Sequence, residues 1–559
     1  MTSGARPVRL TMAALAAGAV VAAGSACSAA TSGAAGVGAP NGGPVREAVV
    51  RIGPFADVRA VAVSPTRAFV VADGGLAMYD RGRHRWLPPI TLGFGGSLAA
   101  RGEPCAAVTN LIGDAVWIAC GTRVTVVRPS IGAVWATELG APVTALSVDR
   151  SGADAFAFIA GSIAVVSASG TARALSAGET VAPDRIAARV AVGGNQQLFQ
   201  AVSDPLLLRD ATLRVWRPSA VARAEGAGEL WVGTHGGGVF VADVDFHRSH
   251  QLPFGLQSGM VRAVARTADG VIVAEDPPNG SANRSLITSA GDDLATWAWP
   301  SLYNAMGALR GVVAREETLC VGGELGAGLA RQRPGPESDG APFDNDHRVY
   351  DPVNVVIATR LGCAVGTDRA VVILPWSSTG EAAAAGAAAL GSLPPVRALA
   401  ASGDTVWAGT VGGLHRCVGS PCAPALLRLP ASISPAIVAL ALTPDGLALA
   451  SAGELWLGSG ADRTATFARP IASTARLGRL TTLASDATTL WVGGTNGLMA
   501  IALSSGSTVD VPLDDPGAMA APVFGSREVR SIALAPGVAW VGTAAGLVRV
   551  RRGDDGLPR

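Results

Sequence analysis

The sequence contains no lysine: all 44 basic side chains are arginine. That absence excludes Schiff-base catalysis and a lysine-based phosphate clamp. Charged residues make up only 16% of the chain and the net charge is +1, which argues against a nucleic-acid partner, whose phosphates demand a basic stripe. Histidine is scarce at six residues, and the one close pair, His247 and His250 in "HRSH", lacks the glutamate and spacing of a zincin helix. There is no Gly-x-Ser-x-Gly elbow and no phosphate-binding glycine loop. Beyond the first 26 residues no apolar run is long enough to cross a bilayer. These absences together leave no constellation arranged for bond chemistry, so a non-enzymatic protein is expected.

What is present begins with an address. Arg6 and Arg9 precede the run "LTMAALAAGAVVAAG" and then small residues up to Cys27, which reads as a secretory signal peptide over 1–26. "GSAC" is similar to the lipobox of bacterial lipoproteins, with Gly24 where that motif usually carries an aliphatic residue, so Cys27 is the expected lipidation site. Residues 27–45 are small and glycine-rich, a flexible tether. Six cysteines remain, an even number suited to an oxidising compartment. Cys417 and Cys422 flank a tight turn, and Cys105 and Cys120 are symmetric about another, so each pair is placed to bridge a hairpin. Cys320 and Cys363 are left, in adjacent repeats, either bridged or buried as free thiols.

With 71 glycines and 49% hydrophobic residues, the body reads as folded and β-rich. Similar segments start near 58, 105, 143, 186, 220, 261, 309, 354, 396, 437, 480 and 529. Self-similarity at ~40 to 50 residues with several short strands per unit is the signature of propeller blades. In "VRALAASGDTVWAGTVGGLHRC" an apolar inner strand is followed by a turn, a tryptophan-bearing second strand, a Gly-Gly turn and a third strand. The tryptophans at 231, 407, 491 and 540 are expected to fill the wedge between blade faces, and the glycine two residues later to leave room where neighbours crowd.

"LWVGTHGGGVFV", "VWAGTVGGLHR", "LWVGGTNGLMA" and "AWVGTAAGLVR" together resemble the two-component regulator propeller repeat. The units at 143, 186 and 261 are degenerate, and the tyrosine usual in the third strand is almost wholly missing. The resemblance implies extracytoplasmic sensor or binding propellers, often two in series. No kinase or receiver domain is expected after the last unit.

The expected fold is all-β, a β-propeller of about twelve four-stranded blades, arranged as two six- or seven-bladed propellers in tandem over 46–305 and 306–559. A strand within 46–53 is placed to complete the last blade. Arginine recurs second in the unit, at Arg59, Arg262, Arg310, Arg397 and Arg530, either ringing a channel with positive charge or covering blade edges. Trp297, Trp299 and Tyr303 cluster in "TWAWPSLYN", as a stacking platform or as packing between propellers. The stretch 331–352 reads as a long acidic loop and carries Asp344, Asp346 and His347, a weak Ca²⁺ candidate. No other cofactor is expected. The expected role is a lipid-anchored, cell-envelope propeller binding a ligand or an envelope protein. The competing reading is a propeller enzyme acting on polysaccharide or another envelope substrate, and a third is assembly of envelope proteins.

Overall fold

The computed structural model is all-β. Within 49–559 it describes every residue except 91–103, 176–179, 183–184, 188, 194–207, 211–212, 224–227, 244–247, 278–284, 301, 303–305, 333–342, 377–387, 390, 420–422, 460–465, 468–470 and 514–525. Residues 1–48 also lie outside the described set, and with them the expected signal peptide, Cys27 and the tether. No helix among the described residues is long and apolar enough to cross a membrane.

Among the described residues eleven sheets follow one another, ten of four strands and one of five. We number the blades by their inner strands: blade 1 Val58–Val63, blade 2 Cys105–Thr109, blade 3 Val143–Val148, blade 4 Pro218–Arg223, blade 5 Val261–Arg266, blade 6 Leu309–Arg315, blade 7 Val353–Ala358, blade 8 Val396–Ser402, blade 9 Ile437–Leu442, blade 10 Leu480–Ser485 and blade 11 Val529–Ala535. The unit expected at 186 is not a blade among the described residues. Its strand Val190–Ala191 pairs instead with the inner strand of blade 3 as that sheet's fifth strand.

The tryptophan-glycine refrain is the joint between blades. Strand period two puts Trp540 and Gly542 on one face, and that face receives the next inner strand. A side chain at Gly542 would meet Val261 Cγ1 at 2.4 Å, at Gly493 Val529 Cγ1 at 2.6 Å, and at Gly409 Ile437 Cγ2 at 2.6 Å. Trp231, Trp491 and Trp540 are almost wholly buried, each worth ~2 kcal/mol or more.

These joints also define the rings. The inner strands of blades 5 to 11 pack side by side in order, and that of blade 11 packs on that of blade 5. Blades 5 to 11 are therefore one closed ring. Blade 4 closes on blade 1 in the same way, with Gly233 facing Val58 Cγ1 at 2.4 Å. The expected boundary at 305/306 is thus corrected: the second ring starts at Val261, because blade 5 sits between blades 11 and 6. All units look alike along the chain, and only the closing contact shows which ring a unit joins.

The strand Val49–Ile52 pairs antiparallel with Gly546–Arg551, Val49 opposite Val550 and Ile52 opposite Leu547. It is the outer strand of blade 11. From Val49 onward the described chain therefore runs from the second ring through the first and back. Its two crossings run side by side, with Phe55 N donating to Leu256 O at 2.8 Å and Leu256 N to Gly53 O at 3.2 Å. Phe254 stacks against Phe55 at 4.8 Å, Trp86 at 4.5 Å and Trp297 at 5.2 Å, so an aromatic cluster cements the rings where they meet. Buried Glu275 pins the second crossing: it accepts from Ser258 N at 2.7 Å, Gln257 N at 3.2 Å and Thr288 Oγ1 at 2.5 Å.

Two disulfides add covalent ties. Cys105–Cys120 links directly opposed residues of neighbouring strands in blade 2, and Cys320–Cys363 joins the second strands of blades 6 and 7. Cys417 is disulfide-bonded, and Cys422, its expected partner, lies outside the described residues.

Near the C-terminus, buried Arg552 donates to Gly556 O at 2.9 Å, Ala535 O at 2.8 Å and Thr489 Oγ1 at 3.0 Å, and pairs with Asp486. Burial works against the charge on Asp486, but the Arg552 guanidinium and the Thr488 and Thr489 N–H groups outweigh it and hold the carboxyl at about 2. A carboxyl depressed on folding contributes stability that is whole above its unfolded value near 4 and lost as pH falls towards 2. Asp486→Asn is therefore expected to cost about 1 kcal/mol at pH 7, a figure discounted for partial exposure, and nothing near pH 2. Urea melts of both proteins at the two pH values check this, and an equal deficit at both would refute it.

Candidate functional site

Each inner strand of blades 5 to 11 begins with the same irregularity. The pairing register shifts between its first and third residues, as between Val261 and Ala263 or Val396 and Ala398. A bulge leaves its extra residue out of the ladder and re-aims its side chain. Here those second residues are Arg262, Arg310, Asn354, Arg397, Val438, Thr481 and Arg530. All but Val438 line one cavity of about 370 Å³, joined by Asp276, Ala308, Glu324 and Glu528.

Two of the arginines, Arg262 and Arg310, are held by carboxylates from the far end of the same hairpin. Arg262 Nε donates to Asp276 Oδ2 at 2.6 Å, and Arg310 Nη2 to Glu324 Oε1 at 3.2 Å. Asn354 Nδ2 reaches Asp368 Oδ1 at 2.8 Å. Each acid stands fourteen residues after its partner, because hairpin pairing sets the residue before the arginine opposite the residue before the acid, as Val261 opposite Glu275. Asp276 is 8% exposed and also lies 3.6 Å from Arg530 Nη1, while Arg530 Nε lies 3.5 Å from Glu528 Oε1. Neither nitrogen of Arg530 makes a hydrogen bond, although both are buried. Asn354 Oδ1 accepts from both Arg310 Nη1 and Arg397 Nη1, each at 3.3 Å. The wall offers guanidinium and amide donors, carboxylate acceptors and one hydroxyl.

Four of the five recurrent arginines therefore converge, and the acids that face the bulged residues across the hairpin are what the sequence reading missed. The signal was available as an acid fourteen residues on, at Asp73, Asp276, Glu324 and Asp368. Arg59 occupies the same bulge position in blade 1, in the other ring, where Asp73 takes its Nε at 3.2 Å and Asp57 its Nη2 at 3.2 Å.

Of the two readings of the aromatic cluster, packing is the one its described residues take. Trp297 is buried in the cluster between the rings, its Nε1 donating to Leu294 O at 2.8 Å, and Trp299 Nε1 donates to Gly255 O on the second crossing at 2.9 Å. Trp299 is half-buried and lies over Gly238, and Tyr303 lies outside the described residues. The acidic segment is corrected in part: Phe343–Val349, which includes Asp344, Asp346 and His347, is no loop but the outer strand of blade 6, paired with Gly326–Gln332. The side chains of those three residues lie outside the described set, and so does the Ca²⁺ expectation resting on them.

No family model matches the chain, and no curated protein matches it. Among solved structures it is similar to the computationally designed Ika8 protein, at 14% identity and TM-score 0.37, over 60% of this chain and 96% of that one. It is similar to an extracellular domain of BT4673 from B. thetaiotaomicron, at 12% identity and TM-score 0.38, over 89% and 69%. The WD40 β-propeller domain of Doa1 is similar at 13% identity and TM-score 0.38, over 52% and 92%. At these identities and TM-scores they assign no function to this chain.

Proposed function

We propose that this chain is a non-enzymatic, extracytoplasmic β-propeller that binds a small polar ligand at the mouth of the ring of blades 5 to 11. One observation carries the reading: six bulged residues, brought together from six blades, line a single cavity of about 370 Å³ with four guanidiniums, an amide and a hydroxyl. That volume is within the range of small-ligand sites. Its lining holds no histidine or cysteine, and its three carboxylates, Asp276, Glu324 and Glu528, each face an arginine, a set suited to charge-paired recognition. The two disulfides support an oxidising compartment, and the sequence supports attachment to the membrane through a lipid on Cys27.

A thermal-shift screen of residues 46–559 against small anionic, neutral and cationic compounds tests this. A bound compound at about a hundred times its Kd adds ~2.7 kcal/mol, a rise of several degrees. Thr481→Trp, which fills the mouth and gives up the hydroxyl's hydrogen bond to Val529 O, is expected to abolish the rise at a cost of about 1 kcal/mol in the unliganded protein. A blank screen, a rise that survives Thr481→Trp, or turnover of a polysaccharide would each contradict the reading.

A further inference from the structure

We infer that the ligand carries an oxyanion, a carboxylate or a phosphate, and that Arg397 with its neighbour Arg310 receives it. This rests on the cavity being the ligand site and names the chemistry of its occupant.

The basis is a break in the repeat-built pairing of the bulged residue with an acid. In blades 1, 5, 6 and 7 the bulged residue is matched by an acid fourteen positions on: Arg59 by Asp73, Arg262 by Asp276, Arg310 by Glu324, Asn354 by Asp368. Blade 8 keeps the arginine and loses the acid. Its hairpin has the same register, Val396 opposite Thr410, so the acid's place falls to Val411, which is 46% exposed. Blade 11 also lacks the acid, with Ala544 in that place, but Arg530 lies between Glu528 and Asp276. Among the described residues Arg397 has no carboxylate partner.

Its one polar contact makes the point sharper. Asp368 accepts from the Asn354 amide nitrogen, and this fixes which way the amide faces. The amide oxygen is thereby presented to Arg310 and Arg397 together. Two guanidiniums are drawn to one neutral oxygen, and only Arg310 has a counter-charge of its own. Buried Val396 and Ala398 fix the backbone on either side of Arg397 while the arginine itself is exposed to the cavity. A planar fork of donors held in place and lacking an anion matches a two-oxygen acceptor.

The test is calorimetric titration of residues 46–559 in 150 mM NaCl, where distant charges are screened, with inorganic phosphate, gluconate and glucitol as probes. Gluconate and glucitol differ only by a carboxylate in place of a hydroxymethyl group. The expectation is binding of phosphate or gluconate, with glucitol at least tenfold weaker; whichever oxyanion binds tighter distinguishes a phosphate-bearing from a carboxylate-bearing ligand. Arg397→Gln is expected to weaken binding at least tenfold. Val411→Glu, which restores the acid of the sibling blades at an exposed position, is expected to do the same with the melting temperature unchanged. Oxyanions that bind no better than glucitol, or unaltered affinity in both variants, overturn the inference. If a neutral compound then proves to occupy the cavity in the thermal-shift screen, the binding function stands without the oxyanion; a blank screen removes both.

Discussion

Removing residues 1–56 is expected to lower the melting temperature of the second ring by about 10 °C or more. Among the described residues the strand Val49–Ile52 is the only cover on the outer edge of Gly546–Arg551. Val50 and Ile52 are buried, and together they contribute ~4 kcal/mol of apolar burial. Arg51, also buried, donates from Nε to Leu513 O at 2.9 Å, adding about 1 kcal/mol. The deletion further removes Phe55 and the first crossing, so the aromatic cluster between the rings loses a member. It leaves a bare strand edge, which promotes edge-to-edge association. Calorimetry and size-exclusion chromatography of chains starting at residue 46 and at residue 57 check both effects. Identical melting and a monomeric shorter chain would mean that blade 11 does not depend on its borrowed strand.

The second large effect is expected at the glycine that closes the same ring. Gly542→Ala places a Cβ 2.4 Å from Val261 Cγ1, with Val261 Cβ at 3.2 Å and Val264 Cγ1 at 3.3 Å. Val261 is wholly buried on an inner strand between blades 11 and 6, so it has little freedom to withdraw. Overpacking of this kind costs ~1 to 3 kcal/mol, and Gly542→Val is expected to exceed that range. Val261→Ala removes the opposing methyl groups and is expected to recover at least ~1 kcal/mol in the double variant, a coupling that only touching residues show. Gly140→Ala, with nothing within 4 Å of the new carbon, serves as the neutral control. Equilibrium urea unfolding of the parent and these five variants supplies the numbers, and additive effects at 542 and 261 would refute the closing contact.

The fold was legible in the sequence to the extent that its forces are local. A short apolar strand, a turn and a tryptophan-bearing strand pair with each other within about twenty residues, so blades could be marked one by one. Ring membership could not, because it depends on Val261 meeting Gly542 and on Val49 meeting Val550. Nothing near Val261 in sequence distinguishes the first blade of a ring from a middle one. The same limit left the aromatic cluster open between a stacking platform and packing, because Phe254, Trp86 and the second crossing come to Trp297 and Trp299 only in three dimensions. The acidic segment looked like a loop because proline and aspartate crowd it, yet it returns to supply the outer strand of blade 6.

The candidate site was half legible. The recurrence of arginine second in the unit is visible by eye, and four of those arginines do share one cavity. Their acids were missed because pairing across a hairpin was not followed from the first strand to the end of the second. Once the register is known, the fourteen-residue interval follows from it, and the exception at Val411 becomes as informative as the rule.

The most direct measurement is a crystal structure of residues 46–559 grown in sodium phosphate. Density for the anion between Arg397 and Arg310, with guanidinium nitrogens ~3 Å from its oxygens, is the predicted result. Phosphate bound elsewhere while the mouth of the second ring holds only water would contradict it.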